Sequence, residues 1–340
     1  MREGQAMRYR KLGQTDIIVS VVAMGCWPIV GDFTWGPQDE ADSIATILAA
    51  LDAGINFFDT AEMYGNGYSE ELLGRALAGR RHEVVIASKV GSEHLTADQV
   101  IRACEGSLRR LRTDYIDLYQ IHWPSRTVPL AETMAALERL RQQGKVRAIG
   151  VSNFGLGDLG DLLAIGRPET NQLPYSLLWR AIEYGIQQRC IEHGIGILTY
   201  SSLAQGLLTG KFTSPEQVPE GRARTRHFSK DRPQTRHGEP GCEAETFAAI
   251  ERIRRISERI GQPMSQVSLA WLLAQPGVTA VIAGARTPEQ ARHNAAAANL
   301  ELTPEVVADL NKATEQLKQR LGPDPDMWQS HAESRYRWRC

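Results

Sequence analysis

Short apolar runs alternate with longer segments whose apolar residues recur every three or four positions, and the alternation persists along most of the chain. SVVAMG, INFFDT, EVVIASK and YIDLYQIH, then VRAIGVS, ETNQLPY, IGILTYS and VTAVIAG, read as buried strands. ADSIATILAALDAG, ADQVIRACEGSLRRL, LAETMAALERLRQQG and AIEYGIQQRCIEHG read as helices, several closing on the glycine that helix C-caps favour. Eight strands alternating with eight helical segments in roughly 300 residues predict an α/β fold, the (β/α)8 TIM barrel, which forms one domain at this length. Ahead of it, YRKLGQTDIIVSVVAMG predicts a hairpin around Gln14 to Asp16 leading into the first strand. No linker divides residues 1–340, so a single domain is expected, with its core at about 7–320 and a Pro-broken, Arg- and Trp-rich tail over 321–340. One long irregular stretch, LTGKFTSPEQVPEGRARTRHFSKDRPQTRHGEPG, follows the seventh strand; it has many Arg and Lys sites, little apolar material to bury, and the placing of a functional lid.

In such a barrel the C-terminal ends of the strands and the loops after them carry the chemistry. NFFDTAEMYGNG sets Asp59 at the end of the second strand and Tyr64 in its loop; Lys89 ends the third strand and His122 the fourth. Neighbouring strands lie about 4.8 Å apart, so these four groups converge on one patch. Each alone has a plainer reading: Asp59 as a turn or cap residue, Lys89 reaching to solvent, His122 on the rim. Together they suit carbonyl reduction. Tyrosine is a poor acid at its ordinary pKa of about 10, and a neighbouring ammonium stabilises its phenolate. Lys89 supplies that charge, Asp59 keeps the lysine charged in a partly dry site, and His122 hydrogen-bonds the oxygen that Tyr64 protonates. The competing chemistry is glycoside hydrolysis by paired carboxylates, with Glu62 or Asp117 as the partner of Asp59, although Asp117 falls near the start of its strand, at the wrong end of the barrel.

Composition narrows the partners. The 340 residues are 42% hydrophobic with a formal net charge of -1, which gives no global attraction to nucleic acid or to an anionic membrane. No apolar stretch approaches the roughly 18 residues that span a bilayer, and MREGQAMRYR lacks the apolar core of a secretory signal. A cytoplasmic protein is expected, with the residues before Met7 an extension. Cys26, Cys104, Cys190, Cys242 and Cys340 are odd in number and form no C-x-x-C, so neither a disulfide framework nor a metal site is expected.

DTAEMYG, IASKVG, YIDLYQIHWP, GKVRAIGVSNF, YSSLAQGLLTGKF and VIAGARTPEQ, in that order between about residues 7 and 320, resemble the motifs of the aldo-keto reductases. The pattern is most similar to the bacterial branch of inositol-dehydrogenase-like and general-stress reductases. The resemblance implies that Tyr64 is the proton donor, that Lys89 and Asp59 tune it, that His122 orients the substrate and that NADPH lies extended across the top of the barrel. It also implies cofactor contacts: Cys26 and Trp27 near the nicotinamide ribose, Ser152, Asn153 and Gln172 at the carboxamide, and Tyr200 stacked on the nicotinamide ring. Ser201, Leu203, Gln205 and Lys211 would follow the pyrophosphate, and Arg222 would close the belt. Ser202 stands where many relatives have proline, which implies a less rigid loop, and His293 replaces the common acidic residue before Asn294, at the adenine. The same fold with bound NADPH also serves as the cytosolic β-subunit of potassium channels, a redox-sensing module with little turnover; His122 completes a catalytic set that those subunits leave incomplete.

Hydride transfer needs a donor that no side chain provides, so NADPH/NADP+ is expected from the chemistry as well. GLGDLG, Gly155 to Gly160, satisfies G-x-G-x-x-G, but SNF separates it from the fifth strand and no acidic residue ends the next one, so it reads as a turn into a short helix. The better anion site is AGARTPEQARHN, where a strand ends on Gly284, Thr287 is the N-cap and Pro288 the first helical residue. Arg286 is placed to bind a 2′-phosphate, with Gln290 and Asn294 on one helix face; an ordinary capped helix with a solvated arginine fits the same residues. Trp27, Trp35, Trp123, Trp179 and Phe228 are candidate walls of a substrate pocket suited to aldehydes, ketones or sugars, with core or rim packing as the alternative for each. The tail aromatics Trp328, Tyr336 and Trp338 either fold over the site or are disordered. The partner expected is a small carbonyl or alcohol, and the oligomeric state is left open.

Overall fold

The computed structural model describes residues 7–339; residues 1–6, read above as an extension, and Cys340 lie outside the described residues. β1 (Tyr9–Lys11) and β2 (Ile18–Ser20) form the expected hairpin, Tyr9 opposite Ser20 and Lys11 opposite Ile18. The strands β3 (Val22–Gly25), β4 (Phe57–Asp59), β5 (Val85–Val90), β6 (Ile116–Ile121), β7 (Val146–Ser152), β8 (Thr170–Pro174), β9 (Gly196–Tyr200) and β10 (Val278–Gly284) all fall on predicted runs. Each is parallel to its neighbours, and β10 pairs with both β9 and β3, which closes the barrel.

The helices are α1 (Glu40–Asp52), α2 (Tyr68–Ala76), α3 (Ala97–Leu111), α4 (Leu130–Gln142), α5 (Leu156–Leu163), α6 (Ile186–Glu192), α7 (Glu243–Arg259), α8 (Met264–Leu273), α9 (Pro288–Ala296) and α10 (Pro304–Leu321). α7 and α10 are additions to the repeating unit and pack on each other. AIEYGIQQRCIEHG is not one helix. Gly185, at φ 137, lies where L side chains are strained, and it separates a short 3-10 turn at Ala181–Tyr184 from α6. No helix among the described residues is long and apolar enough to cross a membrane.

Alternate residues of a strand point to the same side, here into the barrel. Leu12, Ile17 and Val19 of the hairpin segment join Phe57, Val85, Ala87, Leu118, Ala148, Leu198 and Ala280 in one buried cluster, so the hairpin plugs the N-terminal mouth. Burying each of the three aliphatic side chains contributes about 1.5–3 kcal/mol. Continuing in steps of two, the same inward faces reach Asp59, Lys89, His122, Ser152, Gln172 and Tyr200 at the other end. The polar site is therefore the top layer of the barrel interior, resting on an apolar stack. The lid after β9 differs from its expected poverty in packing: Phe212, Val218, Ala223 and Phe228 are all buried.

Candidate active site

Lys89 stands at the centre of that layer. Its Nζ donates to Asp59 Oδ1 at 2.7 Å, to the Thr60 carbonyl at 2.8 Å and to Tyr64 Oη at 3.3 Å, which satisfies all three ammonium protons. Asp59 Oδ2 accepts from Gln172 Nε2 at 2.7 Å. Lys89 is 0% and Asp59 3% exposed, and charges so deep persist only when paired and hydrogen-bonded. Burial works to lower the Lys89 pKa, but Asp59 and Tyr64 outweigh it and the net direction is upward, so the ammonium is kept. For Tyr64 burial is the larger influence and Lys89 opposes it; the phenol ends above its ordinary pKa. Lys89 thus acts on the phenol in the expected direction, toward greater acidity, and burial outweighs it. The His122 ring lies edge-on to Tyr64, 5.8 Å between centres. Burial first, then Lys89 and Arg335, hold His122 well below its ordinary pKa, so it is a neutral imidazole at pH 7.

Above this floor opens a cavity of about 1200 Å³ lined by every candidate cofactor residue, from Cys26 and Trp27 through Ser152, Asn153, Gln172 and Tyr200 to Gly284, Arg286, Gln290 and Asn294. Left-handed backbone at residues other than glycine gathers along it, at Asn153 (φ 66), Ser201 (φ 51) and Gln205 (φ 54). Such conformations are costly and cluster at functional sites. Both amide atoms of Gln205 and Nε of Arg222 are buried without a hydrogen-bond partner, an arrangement that a ligand completes. Burial and the neighbouring Arg222 and Arg286 lower the Lys211 pKa, so this wall repels itself until an anion arrives. Thr287 caps α9, accepting from Gln290 N at 3.3 Å, and Pro288 opens the helix as expected.

Several expectations are corrected. Arg286 lines the cavity and is not a solvated arginine: its guanidinium donates to Gln38 Oε1 at 2.8 Å, to the Trp35 carbonyl at 2.7 Å and to the Pro37 carbonyl, clamping the loop after β3. Phe228 and Trp179 are core residues, each 1% exposed, and not pocket walls; Trp27, Trp35 and Trp123 do line the cavity. Asp117 is held by Arg81 and Arg147, both at 2.6 Å, and Glu62 accepts from the Gly91 N–H and faces His94, so neither pairs with Asp59. Ser202 is pinned in place of a proline ring by its own hydroxyl, which donates to the Thr199 carbonyl at 3.0 Å. His293 bonds Ser265 Oγ at 2.8 Å.

The tail folds over the site. Trp328 stacks on Tyr200, 6.1 Å between centres, Trp338 packs against His331 at 5.9 Å, and Tyr336 donates to Asn153 Oδ1. That oxygen also accepts from Tyr200 at 2.8 Å, while Asn153 Nδ2 donates to the His122 carbonyl at 2.9 Å. GLGDLG proves to be where the tail docks. The Gly157 N–H donates to the Arg337 carbonyl at 2.7 Å, and a Cβ on Gly155 would fall 2.5 Å from that carbonyl oxygen. Sequence reasoning missed Arg224 and Arg335, which also line the cavity; the alternation of arginine with aromatic residues in SRYRWRC was the one available signal for Arg335.

Residues 22–315 match the model of the Aldo/keto reductase family. Aldo-keto reductase YhdN of Bacillus subtilis is 36% identical over 331 residues, covering 94% of this chain and 97% of that protein. The NADH-specific methylglyoxal reductase of Escherichia coli is 34% identical over 321 residues, covering 87% and 95%. The crystal structure of an aldo-keto reductase from Klebsiella pneumoniae in complex with NADPH superposes with a TM-score of 0.72 at 31% identity, covering 91% and 96%. Agreement in sequence and in backbone over nearly the whole chain leads to one conclusion: this oxidoreductase belongs to the aldo/keto reductase family.

Proposed function

We propose that the protein reduces aldehydes or ketones to alcohols with NADPH, Tyr64 delivering the proton to the carbonyl oxygen. The observation that carries this reading is the buried Lys89 ammonium, bonded at once to Asp59 and to the Tyr64 hydroxyl. As the phenol gives up its proton, Lys89 stabilises the phenolate that forms, Asp59 keeps Lys89 charged, and Gln172 fixes the far oxygen of Asp59. His122, being neutral, can donate a hydrogen bond to the carbonyl oxygen without competing as an acid. Trp27 stacks on the Tyr64 ring, 6.0 Å between centres.

NADPH fits the residues present. The unpartnered Gln205 and Arg222 atoms, the cationic wall with Lys211 and the N-terminus of α9 suit a dinucleotide's phosphates, and Ser152, Gln172 and Tyr200 stand where its nicotinamide would meet Tyr64. When bound, it supplies the hydride. The free, buried Cys26, Cys104, Cys190 and Cys242 suit a reducing cytoplasm.

The test is NADPH oxidation across small aldehydes and ketones, with Tyr64→Phe as control. Loss of a general acid is expected to lower kcat by about 10² to 10⁴ while NADPH binding persists. An unchanged kcat in Tyr64→Phe refutes the assignment.

A further inference from the structure

Arg222 and Arg224 sit two residues apart in the lid and stand over different indoles. The Arg222 guanidinium is 5.3 Å from the ring centre of Trp35, and that of Arg224 is 5.6 Å from the ring centre of Trp27. Trp35 meets Trp27 edge-on, and Trp27 is the ring stacked on Tyr64. The cations divide accordingly. Lys211, Arg222 and Arg286 act electrostatically on one another, whereas Arg224 feels Asp32 and Arg236. One cavity therefore holds two cationic groups. The first answers to the phosphates of a dinucleotide; the second borders the indole against which the proton-donating phenol rests.

Within the second group Arg224 keeps an unmet donor, as Arg222 does in the first. Arg335 donates to both carboxylate oxygens of Asp326 at 2.8 Å, and Arg286 is held by the loop after β3. Arg224 Nε is buried with no hydrogen-bond partner. Asp32, the acid that acts on it, already accepts from Trp27 Nε1 at 2.7 Å and from the Thr34 and Trp35 N–H groups at 2.9 and 3.1 Å. A half-buried guanidinium with an unmet donor and an aromatic face beneath it is suited to a carboxylate or a phosphate.

We infer that Arg224 determines substrate specificity by binding an anionic group, so that the preferred substrates are short aldehydes or ketones bearing a carboxylate or phosphate at the end away from the carbonyl. This rests on the reductase reading above. Arg224 and Tyr64 both lie against the Trp27 ring, 5.6 and 6.0 Å from its centre, which holds the guanidinium within about 12 Å of the phenol ring and bounds the carbon chain between charge and carbonyl.

Matched substrates test it: 4-oxobutanoate against butanal, and glyceraldehyde 3-phosphate against glyceraldehyde, each with NADPH. The wild-type protein is expected to favour the charged member of at least one pair through a lower KM, and the pair that responds tells carboxylate from phosphate. Arg224→Met is expected to lose roughly 10- to 100-fold in kcat/KM on that charged member and far less on its neutral partner, with Arg224→Lys restoring part of the loss. Equal kcat/KM for charged and neutral substrates in the wild type, or equal losses on both in Arg224→Met, overturns the inference and leaves the reductase reading standing. If none of the four substrates is reduced, it is the reductase reading that fails. The subsite is then read directly from indole fluorescence on titration with succinate and with inorganic phosphate. A saturable change present in the wild type and absent from Arg224→Met supports the subsite, and no change with either anion overturns it.

Discussion

On the floor of the cavity, Lys89 and both oxygens of Asp59 find partners within the protein; along the lid wall, Gln205, Arg222 and Arg224 keep buried polar atoms with none. The two regions line one cavity, yet folding completes the Asp59–Lys89 pair and not the wall, and on the floor it is His122 Nδ1 that still lacks a partner. Strand pairing brings Asp59, Lys89 and Gln172 to fixed heights, so the proton-transfer geometry stands before any ligand arrives. The wall carries cations that burial and mutual repulsion disfavour, and a bound anion relieves them. Preorganisation for chemistry and readiness for binding are thus separated between barrel and lid.

Breaking the floor should have the largest effect. Lys89→Met strands the Asp59 carboxylate, and removing one partner of a buried pair costs about 3–5 kcal/mol, to be read as a lower urea midpoint alongside loss of NADPH oxidation. Adding Asp59→Asn removes the stranded charge, so the double variant is expected to be more stable than the sum of the single losses predicts. Additive losses would show that the two act separately.

Acid should undermine the wall through its footing. His227, in the lid, bonds Thr225 Oγ1 at 3.0 Å and the Leu178 carbonyl at 2.9 Å, and burial lowers its pKa to about 4. Below its ordinary pKa of about 6.5 the unfolded chain takes up a proton that the folded protein refuses until about pH 4, so stability is lost as pH falls through that window, by up to about 1.4 kcal/mol per pH unit. Urea midpoints at pH 7.5 and 5 measure it, and His227→Gln is expected to flatten the slope.

Within the wall, Arg286→Ala is expected to weaken NADPH and NADH alike by about 10-fold, because it releases the loop that carries Trp35 and Gln38. A loss confined to NADPH would show that Arg286 leaves the loop to read the 2′-phosphate. The smallest effect is expected at the seam between floor and tail. Tyr336→Phe deletes one of two phenols bonded to Asn153 Oδ1, at about 0.5–1.5 kcal/mol of stability, and frees that oxygen for a nicotinamide carboxamide. NADPH binding should tighten by a few-fold; weaker binding would make Tyr336 a support for Asn153.

What could be read from the chain follows the same division. Asp59, Lys89 and His122 were legible because strand period and strand order fix which side chains meet at the top of a barrel. The contacts that hold Arg286 were not legible because its partners, Gln38 and the carbonyls of Trp35 and Pro37, lie some 250 positions away and carry no local signal. Phe228 and Trp179 looked like pocket walls because an aromatic residue in a lid or loop is equally at home in the core. GLGDLG shows the limit most clearly: its first two glycines, Gly155 and Gly157, answer to the carbonyls of Arg337 and Arg339, a requirement visible only once the tail is in place.

The docked tail also decides how the molecule can be handled. Arg339 rests beside Gly157, in the tail whose Trp328 and Arg335 line the cavity, whereas Met7 packs near Gly54 at the hairpin end. A reporter or surface linker attached to the tail near Arg339 would hang at the doorway and tug on Trp328 and Tyr336. The same attachment at the hairpin end would present the doorway outward and undisturbed, which makes it the side from which to immobilise a working catalyst.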